Sequence, residues 1–422
     1  MVSTTGDLRA RRAVEALRAG VPNRDAVEAL GFDGPDVLAR FDEGTAGLTS
    51  SVSESTQPRG MLLAGEFGAG KSHALEFLAH RALDRNIAVS KVVVSKETQL
   101  FDPAKLFRAA IDGLRVRGIA GSDLSDITLT RLDARGGRFV ELVKWLRDSR
   151  INSRFAATIW LYENGGVNPE LRERLVTFWS GGPIAIGQLR RDLREAGQAR
   201  AFDLERVLAK DLARQRFQFM ARLLHGAGYD GWLIMLDELE LIGRYTVLQR
   251  GRAYAELARM MGLAFDEEIP GLFVVGAITP DFSSAVIRGK DDLNQISFKF
   301  RQRDDDLTAG LAERAMEEIE RNLVRLPEPD DERLETTLRR LVDVYTDAYG
   351  RAEVSDTEAR RRAGWQMREY VRGWITSWDL RRLDPAYQPD VEVDRIVTEY
   401  TEDAVWEAPA EGTDEGEPDP NA

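Results

Sequence analysis

The chain has 422 residues, 43% of them hydrophobic, no cysteine, three histidines and a formal net charge of −13. Disulfides and zinc–thiolate sites are thereby excluded, the histidines at 73, 80 and 225 lack metal-ligand spacing, and no apolar run approaches a membrane span. The negative charge disfavours nonspecific adhesion to DNA by the chain as a whole, and residues 1–7 carry no basic-then-apolar leader, so the expected compartment is the reducing cytoplasm.

Residues 1–55 read as a short helical segment and a linker. The stretch 8–19 is periodic and ends at Gly20, Pro22 and Asn23 turn the chain, 24–30 starts a second helix, and the Ser/Thr-rich run 47–55 leads into the first strand. Residues 56–303 read as an α/β core. Its first strand, Met61-Leu62-Leu63-Ala64, runs into Gly65-Glu66-Phe67-Gly68-Ala69-Gly70-Lys71-Ser72 and then a helical stretch, 73–80. This is a phosphate-binding P-loop in its strand-to-helix setting. The glycines let successive backbone N–H groups turn toward phosphate oxygens at a helix N-terminus. Lys71 is expected to reach the β- and γ-phosphates of ATP and Ser72 to ligate Mg²⁺. Only eight lysines stand against fifty arginines, which sets the lysine at this position apart from the chain's usual basic residue. By themselves, His73 and His80 on the following helix read as packing or surface residues.

Residues 87–95 are β-branched and short, a second buried strand, and 105–114 is a helix. The stretch 115–230 carries helical periodicity broken at Gly136-Gly137, Gly165-Gly166 and Gly181-Gly182-Pro183, and reads as a large helical insertion cored by Trp145, Trp160 and Trp179. A third strand, 232–236, ends in Asp237-Glu238. Asp237 at its tip is expected to hold the magnesium water shell, and Glu238 to polarise the attacking water. Glu240 is a spare carboxylate with two readings, joining the site or pairing with Arg244, and the ion pair is the one expected. A fourth strand, 271–278, ends at Thr279, placed to sense the γ-phosphate, and a fifth is expected at 295–300. Arg288 lies between them, where ring-forming ATPases carry an arginine finger worth roughly 10³–10⁵ in rate. The whole describes a P-loop NTPase with a doubly wound parallel sheet.

Residues 304–400 read as an all-helical unit, with helices over 307–323, 332–349 and 356–378. The tail 401–422 is acidic, has three prolines and reads as disordered. The pairs Arg190-Arg191 and Arg381-Arg382 and the triplet Arg360-Arg361-Arg362 are open to two readings, phosphate contacts or solvated helix faces.

The segments 11–23 (Arg-Arg-Ala-Val-Glu-Ala-Leu-Arg-Ala-Gly-Val-Pro-Asn), 65–73, 92–97 and 236–240 together resemble the ATP-binding proteins of BREX bacteriophage-exclusion systems, the BrxD-like group. The resemblance runs from about residue 8 to 400. It implies an AAA+-like ATPase with a helical lid, binding ATP and Mg²⁺ through Gly65, Glu66, Phe67, Gly68, Ala69, Gly70, Lys71, Ser72 and His73. It further implies that Val21 and Pro22 lie against the adenine and that Arg368, with Arg372 in reserve, reaches the γ-phosphate from the lid; Met367 stands where the family more often has a proline. The implied partners are a second copy of the chain, other defence-system proteins and DNA, and no membrane. Two rivals remain open: a slow nucleotide-dependent signalling switch, and a DNA-loading AAA+ protein outside defence.

Overall fold

The computed structural model describes residues 5–21, 23–119, 124–133, 135–164, 168–350, 359–384 and 399–403. Four helices open the chain: α1 (Thr5–Ala19), α2 (Arg24–Leu30), α3 (Pro35–Ala46) and α4 (Leu48–Glu54). After them β1 (Met61–Ala64), α5 (Lys71–Asp84), β2 (Ala88–Val93), α6 (Pro103–Asp112) and β3 (Leu114–Arg115) begin the α/β part. Six helices then intervene: α7 (Leu124–Arg131), α8 (Gly137–Asp148), α9 (Ser153–Asn164), α10 (Pro169–Trp179), α11 (Ile186–Glu195) and α12 (Ala209–Gly226). The sheet resumes with β4 (Trp232–Asp237), α13 (Val247–Met260) and β5 (Leu272–Ile278). These lead to α14 (Asp292–Arg301), α15 (Asp306–Arg321), β6 (Leu323–Arg325), α16 (Asp331–Tyr349) and α17 (Met367–Leu383).

The strands form one sheet in the order β3-β2-β4-β5-β1-β6, parallel throughout except for β3, which runs antiparallel to β2. Strand side chains alternate between faces. Leu233 and Met235 of β4, with Phe273, Val275 and Ala277 of β5, pack beneath α3 and α5. Trp232, Ile234 and Leu236, with Leu272, Val274 and Ile278, pack on the other face among α6, α12, α13 and α15. Covering both faces is what a parallel sheet requires. A third core joins the two ends of the chain: Ala13, Val14 and Leu17 of α1 and Leu30 of α2 pack on Leu334, Leu341 and Tyr345 of α16 and on Tyr370, Trp374 and Trp378 of α17.

Four expectations are corrected. Residues 295–300 are helical, within α14. Ile296, Phe298 and Phe300 alternate as a strand would, but the structure buries Asp292, Ile296 and Phe300, four apart, and leaves Phe298 62% exposed. Two strands were not expected: β3, a short antiparallel edge strand where the helix 105–114 and the insertion were expected to meet, and β6, which pairs with β1 and was hidden by running straight on from α15. The Ser/Thr-rich run at 47–55 is mostly helix α4, with Leu48, Ser51 and Val52 buried on one side. Its serines return their hydroxyls to the helix's own carbonyls, Ser51 Oγ to Leu48 O at 2.8 Å, and Ser51 Oγ also accepts the Gly271 N–H at 2.9 Å. Helix α17 starts at Met367, and the expected helical residues 359–366 are not helical. Positions 351–358 and the tail from 404 lie outside the described residues. Within the intervening helices Trp179 is fully buried, whereas Trp145 and Trp160 are only partly covered.

Gly276, in the middle of β5, has no room for a side chain: an added Cβ would lie 2.5 Å from Leu239 Cδ1 and 2.7 Å from Leu62 Cδ2. Gly276→Ala is expected to lower stability by about 1–3 kcal/mol through overpacking. The readout is a lower urea midpoint at unchanged slope; an unchanged midpoint would contradict the packing.

Candidate functional site

The loop after β1 is fastened at its start by the Gly65 N–H, which donates to Ile278 O of β5 at 3.2 Å. Gly68 and Gly70 take φ values of 82° and 98°, in the left-handed region that glycine enters at little cost. At Gly68 a second constraint acts, since an added Cβ would lie 3.1 Å from Glu369 Oε1 and 3.3 Å from Arg368 Cβ. The chain then enters α5 at Lys71, with the helix N-terminus facing a cavity of ≈ 360 Å³.

Six residues of the loop and helix start, Glu66, Phe67, Gly68, Ala69, Gly70 and Lys71, line this cavity together with Ser72, His73, Glu238 and Arg368. Gly65 sits just behind, its carbonyl accepting from Lys71 Nζ at 3.0 Å. Ser72 Oγ donates to Asp237 Oδ2 at 2.9 Å, joining residues 165 apart in sequence. Glu238 adopts φ 63°, a left-handed conformation that a non-glycine residue adopts only where its surroundings hold it. Burial, then the neighbouring Asp237, raise its carboxyl above the usual range, with Lys71 and Arg368 opposing. Arg368 is thus electrically coupled to Glu238, and its backbone N–H donates to Gly68 O at 3.0 Å. The ring of His73 meets Gly31 O at 2.7 Å, and burial lowers its basicity.

Other expected residues lie elsewhere. Val21 is 67% exposed and does not line the cavity, because its N–H closes back on Ala16 O at 3.0 Å beyond the left-handed Gly20 and the side chain turns outward. Ala16, Leu17, Gly20, Leu30 and Phe32 line that side instead, facing Leu326, Pro327 and Val371. Pro22 lies outside the described residues. Thr279 is buried at the end of β5, but its hydroxyl meets Tyr400 OH at 2.8 Å and is absent from the cavity lining. Arg288 is exposed on a short π-helical turn, Ser283–Arg288, and pairs with Glu320 at 2.9 Å, away from the cavity.

The pairing expected of Glu240 is also corrected. Its partner is Lys71, at 3.2 Å, while Arg244 Nε donates to Glu399 O at 3.0 Å. The reason is the 3₁₀ turn Leu239–Arg244, which directs Glu240 inward to 1% exposure. Sequence reasoning also missed Lys91, whose Nζ is 3.9 Å from Asp237 Oδ2, and Arg333 and Arg340 of α16 on the cavity wall. Lys91 had left a signal, being one charged residue in the β-branched run 89–94.

Burial raises the Glu240 carboxyl to about 7 despite Lys71 beside it. An acid whose folded pKa exceeds its unfolded one is held more tightly as the proton-bound form in the folded state. Its contribution is therefore lost as pH rises from about 4.5 to 7. Glu240→Gln is expected to flatten the fall in stability across that window, measured by urea unfolding at its two ends; a parallel decline in variant and parent would contradict it.

The family model for the BREX system ATP-binding protein BrxC/D matches residues 10–128 and 142–369, spanning the loop, both strand-end carboxylates and the first turn of α17. Among curated proteins no relative matches the sequence. With most of its length inside that match, the chain belongs to the BREX system ATP-binding protein family, BrxC/D.

Proposed function

We propose that the chain binds ATP with Mg²⁺ in the 360 Å³ cavity and hydrolyses it as an AAA+-like component of a BREX antiphage defence system. The observation that carries this reading is the Ser72–Asp237 contact at 2.9 Å with Glu238 on the same cavity wall. It joins a hydroxyl and a carboxylate suited to one hard cation, and Mg²⁺ takes few protein oxygens when phosphates supply the rest. Among the described residues no cluster of three or more His, Asp or Glu could hold a metal, so a cation here would depend on phosphate oxygens for the rest of its shell.

When bound, ATP supplies the γ-phosphoryl group and Mg²⁺ neutralises its charge for transfer to water. The chain's own part is positioning. The N–H groups around Gly68 and Gly70 would hold a triphosphate's oxygens, with Lys71 as the cation at the helix start. Ser72 and Asp237 are the proposed metal ligands. Glu238, with its raised proton affinity, is suited to hold and accept a proton from water. Arg368, coupled to Glu238 and fastened to Gly68, is the arginine whose position supports action from the lid of its own chain. The apolar wall of Leu17, Leu30, Leu326 and Val371 suits the base, in place of Val21.

In this reading residues 56–303 form the ATPase core, carrying the inserted helices at 115–230, and the lid consists of α16 and α17 together with α1 and α2. Arg288, exposed and paired among the described residues with the side chain of Glu320, is available to a neighbouring copy in a homo-oligomer. The work performed is assembly or movement on other BREX proteins or DNA, in the cytoplasm. No helix among the described residues is long and apolar enough to cross a membrane.

ATP with magnesium at about 100 times its dissociation constant should stabilise the fold by roughly 2.7 kcal/mol, seen as a raised melting temperature. Lys71→Ala should abolish that rise, and a parent melting curve indifferent to millimolar ATP would refute nucleotide binding. Glu238→Gln should keep the thermal shift while hydrolysis falls by about 10²–10⁴-fold. Turnover at the parent rate would place the catalytic carboxylate elsewhere.

A further inference from the structure

Residues 399–403, the last described part of the chain, lie across the loops that follow β2, β4 and β5 and are held by side chains from separate elements. Arg244 Nε donates to Glu399 O at 3.0 Å, and Arg244 O accepts the Asp403 N–H at 3.1 Å. Lys290 Nζ donates to Tyr400 O at 2.7 Å, Arg250 Nη1 to Glu402 Oε1 at 2.6 Å, and Lys96 pairs with Asp403 at 3.1 Å. Arg250 is itself fixed, 2% exposed and bonded to Asp292 at 2.7 Å. The groove is shaped as well as charged. The Tyr400 ring stands edge-on to Phe282, 6.1 Å between centroids, and covers Gly243, where an added Cβ would meet Tyr400 Cδ1 at 2.6 Å.

The tip of this segment reaches Thr279. Tyr400 OH donates to Asp281 Oδ1 at 3.2 Å, which uses its single proton, so across the 2.8 Å contact Thr279 Oγ1 is the donor. A phosphate oxygen offers only acceptors. A threonine whose one O–H is given to a tyrosine therefore has nothing to donate to phosphate.

We propose that the basic groove formed by Lys96, Arg244, Arg250 and Lys290 is a docking site for the chain's own residues 399–403, and that docking withholds the Thr279 hydroxyl from the phosphate site. The docked segment is a brake on hydrolysis, released when 399–403 leave the groove. The braking half rests on the reading of the cavity as an ATPase site; the docking half does not.

Two experiments on the full chain test it. Tyr400→Phe keeps the ring on Gly243 and Phe282 but frees Thr279. Since one hydrogen bond shifts an equilibrium by roughly three- to tenfold, hydrolysis should rise by about that factor at unchanged ATP affinity. A rate equal to or below the parent's overturns the brake. The double variant Tyr400→Ala, Glu402→Ala empties the groove. A capped, fluorescein-labelled peptide of sequence 399–403 should bind that variant and not the parent, by anisotropy, and adding Lys290→Ala should weaken it. A folded double variant that binds no peptide overturns the docking. If neither parent nor Tyr400→Phe hydrolyses ATP, the brake falls with the ATPase reading, and the peptide titration still decides the docking.

Discussion

The register of three parallel strands is the constraint on which the site depends. Ala64 of β1 lies beside Ile278 of β5, and Leu236 of β4 beside Gly276. Strands that run in one direction and end at the same level deliver their following residues to one edge of the sheet. The residues delivered are Gly65 and its loop, Asp237 with Glu238, and Thr279. The 164 residues between Ser72 and Asp237 add β2, β3 and covering helices, and the strand pairing decides where both land. Gly276 belongs to this constraint too, since the space it leaves is filled by Leu239, the first residue of the turn that sends Glu240 inward.

The second requirement is a roof, and the chain builds it from its own two ends. Helices α1 and α2 share a core with α16 and α17. That core meets the Gly-rich loop after β1, and the helix that follows it, at points where backbone groups make the contact. Arg368 N–H bonds Gly68 O, and His73 bonds Gly31 O. Each tie joins the loop or the helix after it to a helical segment otherwise distant from the sheet. Whatever moves the roof therefore moves Arg368, and whatever reshapes the loop at Gly68 disturbs the first turn of α17. This is a physical basis for coupling cavity occupancy to the arrangement of the helical unit, of the kind a two-state element requires.

What the sequence made legible was local and repetitive. Strand 61–64 running into the Gly-rich loop, and 232–237 ending in two carboxylates, need no partner to be recognised, because apolar runs, glycine spacing and strand-end acids lie within a few neighbouring positions. What stayed hidden depends on distant contacts. The run 292–300 satisfies both a strand and a helix pattern, and only the Arg250–Asp292 pair and the packing of Ile296 and Phe300 beside Gly251 decide between them. Helix α4 is polar in composition and stands because Ser51 bonds Gly271, 220 residues away. Glu240 offered Arg244 as a near neighbour along a turn, yet its partner is Lys71 at the start of α5. Tyr400 gave no local sign of meeting Thr279, since nothing in residues 399–403 differs in kind from an acidic tail.

The charges of the site show why such distant partners matter. Asp237, Glu238 and Glu240 crowd one turn, and burial opposes ionisation of the last two. Lys71 is 7% exposed, and a cation so placed without a carboxylate would be strongly unfavourable. Glu240 meets that need with neither oxygen otherwise hydrogen-bonded, so its surroundings offer it little besides Lys71. The Lys71 amine is thereby held in a buried place between Glu240 and the Gly65 carbonyl, while Ser72, Lys91 and the Glu238 N–H share the Asp237 carboxyl among them. A site whose dipoles and charges are fixed in advance needs little reorganisation when charge develops within it. The buried Glu240 carboxyl is thus an electrical neighbour of the Gly-rich loop after β1, although it follows β4, two strands away in the sheet, and stands 169 positions further along the chain than Lys71.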